Sequence, residues 1–155
     1  MHTKNEVIEI IAPLTADFEG FSAKVYKCPA GFNTIGYGRN IEANPLNAQE
    51  LAQLQNGEVS KEVALVWLKE ELERCYERLN KLSWFKELDK KRAAAMVDMC
   101  YNLGYNSLMG FKNSIAMLAN KEWEKAGENL KQSKWYKQVK RRGVKIVSII
   151  ESGEV

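Results

Sequence analysis

With 155 residues, 45% of them hydrophobic, the chain can bury one substantial core or two small lobes that share a helix, which excludes two independent large domains. The formal net charge of +3 is modest. Three cysteines, Cys28, Cys75 and Cys100, form an odd set without a short repeated spacing, so neither a disulfide framework nor a zinc site is indicated, and free thiols suit a reducing compartment.

The first residues, Met1 to Glu6, include an acid and no apolar run, and no stretch approaches the ~18 uninterrupted apolar residues of a membrane span. A cytoplasmic protein without a signal peptide and without stable membrane insertion is expected. The only histidine, His2, has no assigned role. From Asn5 onward Val7, Ile8, Ile10, Ile11 and Leu14 recur at helical spacing and predict an amphipathic helix, with Glu19 at or just past its end. Between Lys24 and Pro45 the character changes: Gly31, Gly36 and Gly38 appear among Val25, Tyr26, Phe32, Thr34, Ile35 and Tyr37, which predicts a small antiparallel hairpin or three-stranded sheet.

Gln55-Asn56-Gly57 reads as a turn, and Ser60 can cap a helix whose pattern runs through Val63, Val66, Trp67, Glu70, Glu71, Arg74, Arg78 and Leu82 without a breaker. Ala93 to Leu103 is almost wholly apolar and is followed by Gly104, as expected of a buried central helix with a glycine stop. Further helices are expected around 113–118, 123–130 and 140–150. Lys131, Lys134, Lys137, Lys140, Arg141, Arg142 and Lys145 place seven positive charges in fifteen residues, either a solvated helical face or a surface that meets a polyanion. The expected class is α+β, mainly α, as a single domain over 1–155: an N-terminal lobe at about 1–59, a connecting helix at about 60–80 and a helical lobe at about 81–155.

Chemistry concentrates between Phe18 and Gly38. Eight residues separate Glu19 from Cys28, and five separate Cys28 from Thr34. This puts a carboxyl just after a helical run and a thiol and a hydroxyl on a short glycine-rich segment able to fold back across it. An acid facing a pair that positions water is the layout of a glycosidase. Partial burial between Phe18 and Phe21 would disfavour the ionised form of Glu19, as a proton donor requires. A glutamate taken alone is more often a solvated surface residue; its company here reverses that.

That company resembles the catalytic region of the phage-type lysozymes, the endolysins that hydrolyse peptidoglycan. The resemblance rests on Glu19-Gly20, Tyr26, Cys28, Gly31 and Thr34-Ile-Gly-Tyr-Gly38. It continues through Arg92 to Gly104, Gly110-Phe-Lys-Asn-Ser114, Trp123, Asn129-Leu130 and Ser133-Lys-Trp-Tyr136. It implies a lysozyme-like fold, Glu19 as general acid, Cys28 where the family carries Asp or in some members Cys, and Thr34 as a holder of the attacking water. By position Asn40 would lie on the β side of a cleft, Tyr101 and Asn102 would line it from the other face, and Ser114 and Asn129 would contact sugar or peptide. Core packing is the other reading of Tyr101, and a surface helix position that of Asn129. Cys28 is open between a hydrogen-bonding orienter and an ionised base, and Arg39 stands where His is frequent in the family.

The implied activity is hydrolysis of the β-1,4 bond between N-acetylmuramic acid and N-acetylglucosamine, with inversion and with no metal or organic cofactor. A lytic transglycosylase is the neighbouring enzymatic reading, and a peptidoglycan-binding protein without catalysis the non-enzymatic one. A DNA-binding reading of the basic stretch lacks a reader motif, so no nucleic acid is expected. The expected partner is the glycan strand, met by a monomer that waits in the host bacterial cytoplasm and depends on a holin-type pore for access to the wall.

Overall fold

The computed structural model describes residues 1–155. Helix α1 (Lys4–Glu19) opens on a reciprocal cap: Thr3 Oγ1 accepts from the Glu6 N–H at 3.2 Å, and the Glu6 carboxylate accepts from the Thr3 N–H at 2.9 Å. It closes at Gly20, whose φ of +73° takes the left-handed turn that ends helices and whose N–H donates to Ala16 O at 3.0 Å. Glu19 is therefore the last helical residue, as the periodicity predicts.

Strands β1 (Ser22–Lys27), β2 (Asn33–Gly36) and β3 (Arg39–Asn40) form one antiparallel sheet in that order. The register pairs Tyr26 with Thr34, Lys27 with Asn33, Thr34 with Asn40 and Ile35 with Arg39, with an irregularity in β1 between Ser22 and Tyr26. The short helix α2 (Ala48–Ala52) follows. Its capping box, Asn47 with Glu50, is a sequence signal that the apolar pattern of five residues is too short to reveal. The Gln55–Glu58 turn and the Ser60 cap form as expected, the latter through Val63 N–H at 3.2 Å.

Helix α3 (Lys61–Leu79) is followed by α4 (Ser83–Lys86), α5 (Lys90–Leu103), α6 (Tyr105–Met109), α7 (Lys112–Ala119), α8 (Trp123–Lys131), α9 (Lys134–Val139) and α10 (Arg141–Ser152). The architecture is the mainly helical α+β class with a small sheet. α3 stops at Leu79 rather than Leu82, because Leu82 N–H turns back to Leu79 O at 2.9 Å and α4 begins. The last helix starts one residue later than its pattern suggests, since Lys140 adopts φ +55° and ψ −118°, which no helix accommodates. No helix is long and apolar enough to cross a membrane.

The chain forms two compact units. One is Ala12–Glu71, built on the sheet and on Ile35, Val59, Ala64 and Trp67, with Phe21, Tyr37, Ile41, Leu46, Leu54 and Val63 packed around them. The other joins Met1–Ile11 to Leu72–Val155. His2 explains why the N-terminal segment belongs there: its Nε2 lies 2.9 Å from Phe85 O, which can only accept, so Nε2 carries the proton and Nδ1 accepts from the Tyr76 hydroxyl at 2.9 Å.

Within this second unit α5 is buried from Ala93 to Cys100, including Asp98. Asp98 is held by Arg142 of α10 through two bonds of 3.0 and 2.8 Å. Arg142 therefore leaves the basic face assigned to it from sequence, and Lys131 is paired with Glu128 at 3.1 Å and Glu151 at 3.5 Å, so the patch is smaller than the composition suggests. Breaking a buried pair by removing one partner strands the other charge. Asp98→Leu should cost about 3–5 kcal/mol in urea unfolding, and Asp98→Leu with Arg142→Met should recover most of it; equal losses in the single and double variants would contradict a stranded guanidinium as the cause.

Candidate active site

The carboxyl of Glu19 is positioned by two glycines. Gly20 ends α1 and turns the chain into β1, while Gly38, in the turn between β2 and β3, lies against the carboxyl group. A Cβ at Gly38 would sit 2.8 Å from Glu19 Cδ and closer still to Oε1, and the residue has φ +72°. The left-handed backbone calls for glycine, and a Cβ would push the end of the Glu19 side chain aside.

Opposite residues of an antiparallel ladder point to the same side of the sheet. Tyr26, Thr34 and Asn40 thus share one face through the strand register. Cys28 and Phe32 continue it at the hairpin end, where Cys28 N–H donates to Phe32 O at 2.9 Å and Gly31 N–H to Cys28 O at 2.8 Å. The thiol of Cys28 is half-buried, and its pKa is lowered chiefly by a hydrogen bond from the Phe32 N–H; desolvation opposes this, and the Ala30 N–H, the Thr34 side chain and the Gly31 N–H add to it. The loop is a nest of backbone donors that favours an anion. The cause of this lowering is the backbone rather than a neighbouring cation.

Thr34 is 3% exposed, and its hydroxyl, which carries a single proton, serves both the Phe32 carbonyl at 2.9 Å and the Cys28 thiol. Tyr26 links the groups electrostatically: partial burial raises the pKa of its phenol, and the charges of Glu19 and Cys28 raise it further. Cys28, Thr34 and Asn40 thus share the Tyr26 face of the sheet, while the Glu19 carboxyl lies against Gly38 in the turn between β2 and β3. Asn40 spends its side-chain carbonyl on the turn that follows, accepting from the N–H groups of Glu42 at 2.9 Å and Ala43 at 3.1 Å, and keeps its amide N–H₂ to offer.

Behind this face lies Arg39, 5% exposed. Its guanidinium grips Glu50 bidentately at 2.6 and 3.0 Å, donates to Asn44 O at 3.1 Å and Pro45 O at 3.0 Å, and lies over the Trp67 ring at 5.3 Å. Glu71 is 3.8 Å from Nε and takes a 2.8 Å bond from the Asn44 amide. The interaction that places β3 is thus made by Arg39 where the family often has His. Sequence spacing alone does not reveal its partner eleven residues away.

The other candidates lie in the second unit, in two pairs plus Tyr101. Trp135 of α9 donates its indole N–H to Asn102 Oδ1 of α5 at 2.8 Å, which leaves the Asn102 amide N–H₂ as its remaining polar group. Ser114 of α7 is 2% exposed and donates to Asn129 Oδ1 of α8 at 2.6 Å, so it orients Asn129 and reaches a ligand only through it. Asn129 borders a surface hollow of about 390 Å³ with Met117, Glu124, Lys125, Glu128 and Gln132. Tyr101 is half-buried on α5. Sequence reasoning passed over Trp135, whose single N–H donor is the group that commits Asn102, and the signal available for it was its place in Ser133-Lys-Trp-Tyr136.

The family model described as Phage lysozyme matches residues 16–149. Probable T4-type lysozyme 2 of Dictyostelium discoideum is 28% identical over 153 residues, covering 87% of this chain and 89% of that protein. Probable T4-type lysozyme 1 of the same organism is 33% identical over 69 residues, 44% of this chain and 41% of that protein. The pre-baseplate central spike protein Gp5 of Enterobacteria phage T4 is 25% identical over 156 residues, 88% of this chain but 27% of the spike protein.

Two outcomes follow from the geometry. Gly38→Ala should cost about 1–2 kcal/mol of stability from the left-handed backbone, and by displacing the Glu19 carboxyl it should lower any activity that depends on Glu19 about a hundredfold; full activity would separate Gly38 from the placement of the acid. In a Cys75→Ser, Cys100→Ala background, the rate at which iodoacetamide alkylates Cys28 should rise with pH and level off at lower pH than for a small free thiol, since the thiolate is the reacting form. A plateau at or above the free-thiol position would mean that the loop does not stabilise the anion.

Proposed function

Because the chain belongs to the phage lysozyme family, we propose that it is a muramidase that hydrolyses the β-1,4 bond between N-acetylmuramic acid and N-acetylglucosamine, with inversion at the anomeric carbon. Glu19 donates a proton to the leaving glycosidic oxygen. A water held by Thr34 and Cys28 attacks from the opposite face of the sugar, and the Cys28 thiolate takes its proton. What supports this reading is that the Cys28 thiol and the Thr34 hydroxyl lie together at the hairpin end, while the Glu19 carboxyl lies against Gly38 in the next turn of the same sheet.

Cleaving a chain of N-acetylated sugars also requires donors for acetamido carbonyls. The amide groups of Asn40 and Asn102, whose carbonyls are already committed, suit that task. Asn129, oriented by Ser114, contacts sugar or peptide of the strand, and Tyr101 supplies an amphipathic ring. The protein acts as a monomer, needs no cofactor, and reaches the wall from the host bacterial cytoplasm through a holin-type pore to lyse the cell.

The test is hydrolysis of purified peptidoglycan beside Glu19→Gln, Cys28→Asp and Cys28→Ala. Glu19→Gln should be folded and without activity, because an amide of nearly the same volume has no proton to give. Cys28→Asp should keep most of the rate and Cys28→Ala should lose most of it. Proton NMR of the first products should show the α-anomer. A β-anomer would recast Cys28 or a neighbour as nucleophile, a 1,6-anhydro product would make the protein a transglycosylase, and binding without any cleavage would leave a wall-binding protein.

A further inference from the structure

Two aromatic rings on the catalytic face have no partner in the fold. Phe32 is 45% exposed and Tyr26 38% exposed, neither stacks on another ring, and the Tyr26 hydroxyl makes no hydrogen bond within the protein. Exposed apolar side chains scattered singly need no account. These two are not scattered: they are diagonal neighbours on the sheet face that carries Cys28 and Thr34, because Tyr26 pairs with Thr34 and Phe32 stands across from Cys28.

The backbone of Phe32 is fixed by its neighbours. Its carbonyl accepts from the Cys28 N–H at 2.9 Å and from the Thr34 hydroxyl at 2.9 Å, and its N–H holds the Cys28 thiol. Only the ring projects into solvent. Tyr26 is fixed as a paired residue of β1 and is close enough to Glu19 and Cys28 for their charges to act on its phenol. With the backbone held this way, only the two χ angles of each ring remain to be ordered when a ligand covers them.

We propose that Tyr26 and Phe32 form a stacking platform for pyranose rings of the glycan strand, seating the sugar beside Glu19 and Cys28 by contact between the apolar C–H face of the sugar and the aromatic faces. This rests on the muramidase reading and adds to it the two side chains that orient the sugar. A pyranose presents hydroxyls around its edge and C–H bonds on its faces, so an aromatic plane with a polar tip matches it. Tyr26 offers both, a ring face and an O–H kept protonated by its surroundings. Diagonal neighbours on a sheet lie roughly 7–8 Å apart, near enough for adjoining sugars of one strand to rest on both rings. The two are positioning residues: they act on substrate placement, and the bond chemistry stays with Glu19, Cys28 and Thr34.

The experiment separates binding from turnover. In the full-length Glu19→Gln background, binding of N-acetylglucosamine oligomers is measured by calorimetry for the parent and for Tyr26→Ala, Phe32→Ala, Tyr26→Leu, Phe32→Leu, Tyr26→Phe and Phe32→Tyr. Each Ala and Leu variant should bind about three- to tenfold more weakly, the range expected of one lost aromatic contact, while Phe32→Tyr stays near the parent and Tyr26→Phe, which keeps the ring and loses only the hydroxyl, falls between the parent and Tyr26→Ala. Leu keeps apolar volume and removes the π face, so it guards against a loss caused by misfolding. In the Glu19-containing enzyme the same Ala changes should raise KM more than they lower kcat. Affinities of the Ala and Leu variants within a factor of about two of the parent would overturn the platform, even if wall hydrolysis is intact. Weakened oligomer binding supports it even if the wild-type chain proves unable to cleave, which would sink the hydrolase reading alone.

Discussion

The buried guanidinium of Arg39 governs the geometry of the sheet-bearing unit. It sits between the turn that carries Gly38 and the strand residue Asn40, and four of its N–H bonds reach Glu50, Asn44 and Pro45. A charge out of water is tolerated only with its hydrogen bonds made and its counter-charge near, so β3, the loop over 41–46 and the first turn of α2 are obliged to meet at one point. Glu50 is tied in the same way: it is the acid of the Asn47 capping box and the acceptor of the Arg39 fork. Gly38 directly precedes the anchored Arg39, and the Glu19 carboxyl lies against that glycine.

The same economy shapes the anion site. A hairpin loop whose N–H groups converge on one side chain favours negative charge whichever atom bears it. Here the atom is sulfur, and the donors at Phe32, Ala30 and Gly31 lower its pKa without help from any cationic side chain. This gives a physical reason why carboxylate and thiol can occupy one position in the family: the loop, not the side chain, supplies the stabilisation. A thiolate is larger and less strongly hydrated than a carboxylate, and it accepts a proton at one atom. The hydroxyl of Thr34 has one proton for Phe32 O or for the thiolate, so its orientation is tied to the protonation state of Cys28.

In the helical unit the ordering is similar, but the charges are spent on scaffolding. Asp98 and Arg142 join α5 to α10, and Arg92 caps the end of α10 through Ile150 O at 2.6 Å and Glu151 O at 3.2 Å while lying over the Trp123 ring at 4.1 Å. Between these fixed helices, Trp135 and Ser114 each claim one asparagine carbonyl. What remains of each of these two asparagines is its amide N–H₂.

Much of this was legible in the chain. The 3.6-residue recurrence around Ile8 and Ile11, the uninterrupted pattern from Val63 and the apolar run closed by Gly104 specify helices because side-chain burial follows period, and the glycine-rich β-branched stretch after Lys24 specifies a small sheet for the same reason. Glu19, Cys28 and Thr34 stand out because they are local, and the backbone connecting them is short enough for sequence spacing to imply proximity. Long-range pairings were not legible: Arg142 reads as one more cation of a basic stretch, Arg39 as a departure without a partner and His2 as a tail residue, and only the fold brings them to Asp98, Glu50 and the Tyr76–Phe85 pair. The reason is physical. Local pattern is set by the backbone's own periodicity, whereas which buried charge meets which, and which side of a hairpin faces Glu19, depends on contacts between residues far apart in the chain, and no spacing encodes these until the core has closed.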